Sequence, residues 1–545
     1  MSTGRTLFVT RKININGKPL RLGWCVLAVI VFGLVLAIRI RLLGIPLERD
    51  EGEYAYAGQL MLQGIPPYKL AYNMKFPGTY AAYAVIMSIF GQTTPGIHLG
   101  LLVVNAATTA LIFFLGRRLI NSTAGAAAAM SYAVLSVSPG VLGFAAHATH
   151  FVLLPVLIGT FLLLNATDRP AFGCLLASGL LFGLSLLMKQ PAVFFPLFGT
   201  IYLISSDLHR RFRLKTIILR SLIFSAGVIL PFGITCLLLW HTGVFGRFWF
   251  WTIDYARQYG SQVPFAQASQ VFFYSTREAI VATWPIWILA GMGFVAGLWE
   301  QRMRGSAIFL LGFIFFSALA LCAGFYFRLH YFVLVLPAVS LLAGVAISRL
   351  SDLIASRGMV VRFFCLLVFG ATLAWPIITE RKFFFQASPT EASRMIYPES
   401  PFAESNRIGE YLRERTSRRD TIAVIGSEPQ IYFYSDRHSA TGYIYTYGLM
   451  EVQKYANQMQ QEMIREIERA QPKFLVFVVV PDSWLQQPGS ERMIFTWANE
   501  YTAQNYTVAG FVNMIAPDRT DYYFGSVPQS VPQLGKYILI YERKS

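Results

Sequence analysis

The sequence predicts a polytopic α-helical membrane protein of about eleven spans with an α/β domain at its C-terminal end, and three observations predict it. First, 545 residues with 55% apolar and 14% charged side chains, at a mean hydropathy of +0.48, are too apolar for a water-soluble chain of this length. Second, the apolar residues gather into runs of roughly 15 to 25, near the length that crosses about 30 Å of hydrocarbon as helix. Third, the charge is divided: residues 1–380 hold 28 basic against 11 acidic side chains, and residues 381–545 hold 18 of each. The net charge of +17 therefore belongs to the membrane half, where Lys and Arg orient loops, and does not mark a nucleic-acid surface.

The chain opens on a basic stretch with Arg5, Arg11, Lys12, Lys18 and Arg21. The apolar run 23–38 that follows lacks a small-residue cleavage site and reads as a retained first span over 22–40. Ten further runs lie at about 98–116, 122–138, 150–166, 171–188, 191–205, 216–240, 278–299, 305–326, 331–348 and 360–378. Arg117 and Arg118, Arg169, the basic run from Arg210 to Lys215, Arg302 and Arg304, and Arg349 and Arg357 fall in alternate connections. The positive-inside rule makes these connections cytoplasmic and turns the others, with the C-terminal domain, outward. The expected division is a cytoplasmic N-terminus at 1–21, a membrane domain at 22–380 with an outward loop at about 45–97, and a soluble extracytoplasmic domain at 381–545.

Two outward loops are long. In the first, an amphipathic stretch with Tyr54, Tyr56, Leu60 and Met61 and a short apolar segment at 76–90 are expected to lie along the membrane interface. In the second, Phe248, Trp249, Phe250, Trp251, Tyr255 and Tyr259 read either as an aromatic belt at the headgroups or as a clamp on an isoprenoid or sugar. Beyond residue 381 the pattern alternates: helix near 406–415, strand 421–425, helix near 449–470, strand 473–480 and a last strand at 537–541. That alternation predicts a small α/β layer domain with its own core. The five cysteines fall in or beside apolar runs and form neither a disulfide framework nor a zinc motif.

The sharpest local feature is Glu48-Arg49-Asp50-Glu51-Gly52-Glu53, which packs four of the 11 acidic residues of the membrane half into six positions. An exposed loop cap gives this pattern. So does a carboxylate set at the bilayer surface that takes the proton of an attacking hydroxyl, with Arg49, Lys69 or Lys75 keeping the base ionised. Lys75-Phe76-Pro77-Gly78 follows in the same loop, a turn-held lysine suited to a phosphate or to snorkelling among headgroups. Lys189-Gln190-Pro191 and Arg328, His330 and Tyr331 stand at other outward boundaries, on the same face as Asp50. His147 and His150, three apart, share a helix face; they offer a metal too few ligands and read more readily as structural groups or as hydrogen-bonding groups toward lipid or sugar.

Arg49-Asp50-Glu51-Gly52-Glu53-Tyr54-Ala55-Tyr56, then Gly64, Pro67-Tyr68 and Lys75-x-Pro77-Gly78, resemble the first outward loop of the dolichyl-phosphate-mannose protein mannosyltransferase-like family. These are polytopic GT-C glycosyltransferases, among them the aminoarabinose transferases. Arg328-Leu329-His330-Tyr331-Phe332 before Leu336-Pro337-Ala338 looks like a second family segment, and 426–445 is similar to the outward domain of some bacterial members. Phe76 departs from the pattern where many members have a second proline. The resemblance implies an inverting transferase that moves a hexose or pentose from a polyprenyl-phosphate donor to a hydroxyl acceptor at the outer face of a bacterial inner membrane. Asp50 and Glu51 would be catalytic, Lys75, Arg328 and Lys189 would bind the donor phosphate, and Tyr54, His147, His330 and Tyr331 would line the donor and acceptor pocket. No metal or other cofactor is expected to be required, and metal dependence is left open.

A lipid or sugar transporter, a flippase and a non-catalytic assembly subunit share the many spans. Carriers place charge at mid-membrane, whereas here it gathers at one surface. Ser427-Glu428-Pro429 and 443–447 in the soluble domain read more readily as turn and strand-edge residues than as contacts to the acceptor.

Overall fold

In hydrocarbon the backbone must satisfy its own hydrogen bonds, so the long apolar runs become helices. The computed structural model describes residues 18–169, 171–299, 304–354, 356–526, 528, 530 and 533–544; Arg5, Arg11, Lys12 and Arg302 lie outside them. The helices are α1 (Lys18–Arg41), α2 (Arg49–Leu62), α3 (Gly78–Phe90), α4 (Thr94–Leu119), α5 (Ser122–Leu135), α6 (Ala148–Asp168), α7 (Phe172–Met188), α8 (Phe194–His209), α9 (Leu214–His241), then Phe265–Ile280, Trp284–Trp299, Arg304–Cys322, Leu336–Leu353 and Met359–Thr379. Among the described residues eight helices are long and apolar enough to cross a membrane, or nine if the pair Phe265–Ile280 and Trp284–Leu298, bent by 110°, is one span. The expected spans at 122–138 and 171–188 are shorter, at 14 and 17 residues. α5 packs against α4 and Leu336–Leu353 and is buried from Ala127 to Leu135, so its length answers to neighbouring helices rather than to lipid.

The soluble domain is built on a six-stranded mixed sheet of order β2-β1-β3-β6-β4-β5, with β1 (Thr421–Ile425), β2 (His438–Ser439), β3 (Phe474–Val479), β4 (Tyr506–Ala516), β5 (Arg519–Phe524) and β6 (Lys536–Arg543). β1 pairs parallel with β2 and β3, and the other pairs are antiparallel. The continuous apolar runs of β1 and β3 match central strands covered on both faces. The long helix begins at Ala456, later than expected, because Tyr447–Met450 forms a separate turn.

Within the outward loop α2 departs from its expected place along the interface, while α3 keeps Val85 and Ile89 exposed. α2 is buried from Glu51 to Leu60 and lies between the membrane helices and the soluble domain. Tyr54 meets Tyr83 of α3 edge-on, while Tyr56 stacks on Tyr432 of the soluble domain and its hydroxyl accepts from Ser439 N at 2.7 Å. One hydrophobic cluster therefore runs from α2, α3 and α4 into the sheet. Each such buried apolar side chain contributes about 1.5–3 kcal/mol. The aromatic loop is drawn in too: Phe248, Trp251 and Tyr255 are buried, the last two against Tyr443 and Leu449 of the soluble domain, and Trp249 stays 43% exposed as a belt residue would.

Candidate functional site

The site starts from the cap of α2. Glu48 accepts from Glu51 N at 2.8 Å, and the Glu51 carboxylate returns a contact to Glu48 N at 3.3 Å, a carboxylate version of the capping box. Successive residues then step about 100° around the helix and enter different surroundings. Arg49 turns to the soluble domain, where it donates to Ser427 O (2.6 Å), to the Tyr447 hydroxyl (2.5 Å) and to Glu428 Oε1 (3.1 Å). Gly52 faces the same way, and a Cβ there would stand 2.6 Å from the backbone N of Gln430, so only glycine fits this approach. Glu51 turns to the bundle and accepts from Ala146 N (2.6 Å) beside His98 Nε2 (3.0 Å).

Asp50 and Glu53, one turn apart, share the remaining face and the Lys75 ammonium, 2.7 Å from each. Lys75 is fixed by its surroundings. Tyr68 donates to its carbonyl at 2.7 Å, and Gly78 after the Pro77 turn packs so closely on the end of α7 that a Cβ would meet Leu187 O at 2.5 Å. Phe76, the departure from the family pattern, is buried against Phe232 and Phe248. Burial favours a neutral Asp50, but the Lys75 charge outweighs it and holds the carboxyl well below the usual range. Burial likewise opposes the Lys75 ammonium, and Asp50 and Glu53 together keep its pKa well above that of an ordinary lysine. Glu53, which also accepts from Tyr80 (2.5 Å) and Asn73 (2.7 Å), is raised by burial.

Asp50 is 15% exposed at its side chain and faces a second set of groups. His147, the N-cap of α6, stacks on His330 at 4.2 Å and brings Nδ1 to 4.0 Å from Asp50 Oδ2. Lys189 Nζ lies 3.3 Å from His330 Nε2 and 4.4 Å over the Tyr331 ring. Burial draws the Lys189 ammonium down to about 8, against the opposing charge of Asp50. Arg328 is exposed, 5.4 Å over the Tyr326 ring, and Tyr326 stacks on Tyr259.

The structure thus brings together Asp50, Tyr54, Lys75, His147, Lys189, His330 and Tyr331, with the Lys75 ammonium 4.7 Å over the Tyr54 ring. It does not bring in the Glu51 carboxylate, which is taken up by His98 and Ala146, or Lys69, which is exposed on the loop. Three residues enter from the soluble domain where turn and strand-edge roles were expected: Glu428, Tyr445 and Tyr447. Tyr445 donates to Asp50 Oδ1 at 3.1 Å. The one signal for them in the sequence is the density of tyrosine at 443–447.

Asp50, His147 and His330 each offer a metal-ligand atom within 4.8 Å of the others. Asp50 Oδ2 and both His147 ring nitrogens take no hydrogen bond from the described residues, and two ammonium groups stand beside them in competition with an ion. One ammonium sits 2.7 Å from Asp50 Oδ1 and another 3.3 Å from His330 Nε2, so cationic side chains already answer the charge.

A carboxylate answered by Lys75, with Lys189 beside His330, lies at the seam between a helical bundle with eight or nine candidate membrane spans and a soluble α/β domain, the architecture of a polytopic membrane protein. Residues 75–235 match the profile of the family described as dolichyl-phosphate-mannose-protein mannosyltransferase. The fold is similar to that of ArnT from Cupriavidus metallidurans bound to undecaprenyl phosphate, over 96% of this chain and 98% of that one, with a TM-score of 0.55 and 14% identity. It is similar to the archaeal oligosaccharyltransferase AglB from Archaeoglobus fulgidus in complex with an inhibitory peptide and a dolichol-phosphate, over 94% of this chain and 76% of that one (TM-score 0.51, 11% identity). The apo form of the Archaeoglobus fulgidus oligosaccharyltransferase gives a TM-score of 0.54 at 12% identity, over 93% and 75%. No curated protein sequence matches the chain. The chain has the GT-C fold of these neighbours, and the family resemblance is matched over 75–235, which takes in Lys75-x-Pro77-Gly78 and not residues 49–68.

Proposed function

We propose that the protein is an inverting glycosyltransferase that moves a sugar from a polyprenyl-phosphate donor to a hydroxyl acceptor at the outer face of a cell membrane, on the bacterial pattern the inner one. The observation that carries this reading is the Asp50 carboxylate, ionised against Lys75 and open at Oδ2. The acceptor oxygen attacks the anomeric carbon from the side opposite the phosphate. As that bond forms, the bond from the anomeric carbon to the phosphate oxygen breaks. The hydroxyl proton passes to Asp50, and the lipid phosphate leaves carrying the second negative charge.

Lys75 has two duties in this scheme. Before the donor binds, it holds Asp50 too acidic to be an effective base. An arriving phosphate competes for the ammonium, and as Lys75 turns toward it Asp50 gains basicity at the moment a substrate is present. Lys189 and Arg328 lack a carboxylate partner within salt-bridge distance among the described residues, which suits them to the charge growing on the leaving phosphate. No step needs a metal ion. The test is transfer of labelled sugar from polyprenyl-phosphate donors by reconstituted protein. Asp50→Asn is expected to abolish turnover while leaving donor binding intact; equal turnover in both proteins removes Asp50 from the chemistry.

A further inference from the structure

The two oxygens of Asp50 are treated differently. Oδ1 accepts from Lys75 Nζ at 2.7 Å and from the Tyr445 hydroxyl at 3.1 Å. Oδ2 accepts a hydrogen bond from none of the described residues, and His147 Nδ1 stands 4.0 Å away. A carboxylate turns easily about its last torsion and presents either oxygen unless donors fix one of them. Both donors here sit on the same oxygen, and they come from different halves of the molecule.

Tyr445 is itself held. Its neighbour Thr446 is fully buried, donates through Oγ1 to Ser483 O at 3.0 Å and through its backbone N to Ser427 Oγ at 2.9 Å. Tyr447 meets the Tyr445 ring edge-on at 4.9 Å; its hydroxyl accepts from Arg49 Nη1 and donates to Asp482 O at 2.7 Å. The domain is held on α2 by Arg49 with Ser427, Glu428 and Tyr447, by Gly52 against Gln430, and by Tyr56 with Tyr432 and Ser439. Tyr445 packs its ring on Tyr447 and beneath the Lys75 ammonium, 5.4 Å away, and gives its hydroxyl to Asp50.

We propose that Tyr445 is a positioning residue for the transfer reaction: the soluble domain supplies its hydroxyl to pin Asp50 Oδ1, which leaves Oδ2 as the atom that receives the proton of the attacking hydroxyl. The assignment rests on Asp50 acting as the base. The soluble domain on this reading is half of the active site, and a membrane domain without it keeps on Oδ1 only Lys75, which the donor phosphate draws away.

The experiment is isotope-edited infrared spectroscopy of full-length protein in lipid nanodiscs, labelled with 13C at the aspartate carboxyls, with turnover measured on the same samples. Tyr445→Phe is expected to shift one carboxylate stretch, the band that is missing in Asp50→Asn, and to leave the unfolding temperature unchanged. It is expected to lower kcat about tenfold or more, the worth of one hydrogen bond to a charged group, with the donor KM unchanged. Added to Asp50→Asn it is expected to change nothing further, since the two residues act as one unit. Tyr447→Phe, which loosens the docking, is expected to lower stability without moving that band. An Asp50 band that stays in place in Tyr445→Phe, or moves equally in Tyr447→Phe, overturns the proposal. A shifted band in protein that transfers no sugar even as wild type keeps Tyr445 as the holder of Oδ1 and removes the transferase reading instead.

Discussion

Lys75→Met removes an ammonium and keeps the length of the side chain. In the wild type that ammonium lies 2.7 Å from Asp50 Oδ1 and 2.7 Å from Glu53 Oε2, and the Glu53 side chain is fully buried. Without it two carboxylates face each other in a dry site, and both cannot stay ionised. Taking up one proton is the cheaper escape. At pH 7 it costs at most about 3.7 kcal/mol, from about 1.36 kcal/mol for each of the roughly 2.7 pH units that separate pH 7 from an ordinary glutamate pKa. Glu53 takes the proton, because burial already raises its carboxyl, and this brings the cost below that ceiling. A glutamate whose folded pKa is raised gives its full contribution below the unfolded value, near about 4.3, and loses it as pH rises through the folded value. The variant is expected to be about 2–3.5 kcal/mol less stable than wild type at pH 7, a gap that narrows by up to about 1.4 kcal/mol for each unit toward pH 5. Thermal unfolding in nanodiscs from pH 5 to pH 8 measures it. A variant that melts within about a degree of wild type at pH 7, or a gap that widens as pH falls, refutes the shared-cation account.

Arg49→Met leaves Glu428 buried without its counter-charge and is expected to cost about 3–5 kcal/mol; adding Glu428→Gln recovers more than half of it, read by the same unfolding assay. Lys189, drawn down to about 8 by burial, serves the leaving phosphate only while protonated, so turnover is expected to fall as pH rises through about 8. Lys189→Arg stays charged throughout and is expected to flatten that alkaline limb of the rate profile. Because the lysines answer the charge beside Asp50 and His330, turnover is expected to persist in excess EDTA, and a loss that added Mg²⁺ or Mn²⁺ restores would return the role to an ion held by Asp50, His147 and His330.

The membrane class was legible because hydropathy and charge are summed over long windows, and the two central strands β1 and β3 because continuous apolar runs announce them. The strand β4 and the edge strand β5 beside it were not. β4 carries Gly510 and Asn513 and β5 carries Arg519 and Asp521, a pattern without strict alternation whose pairing comes from β6 and from the hairpin itself. Asp50, Lys75, Lys189 and His330 could be gathered from the sequence since each is a charged or titratable residue at the end of an apolar run. Tyr445 stood out only within the dense tyrosines at 443–447, because nothing local distinguishes a tyrosine that packs from one that reaches 395 positions back along the chain to a carboxylate. The placement of α2 along the interface failed for a related reason. Its amphipathic pattern of Tyr54, Tyr56, Leu60 and Met61 beside carboxylates suits a membrane surface and equally suits a helix covered on both sides by different partners.

That two-sided cover gives the acidic cluster its meaning. Residues 49, 52 and 56 recur at helical spacing and meet the soluble domain through Glu428, Gln430 and Tyr432 in turn. Residues 50 and 53 meet Lys75, and residues 51 and 54 meet the bundle through His98 and Tyr83. The four carboxylates therefore do not pool their charge. Glu48 caps the helix 3.7 Å from His147, Glu51 ties it to α4, Glu53 fixes Lys75, and Asp50 faces Lys75 and His147 with Oδ2 free of a donor among the described residues. A helix rotated by one residue would exchange these surroundings and bury Asp50 against His98. Docking of the soluble domain sets that rotation, and through it which carboxylate can act.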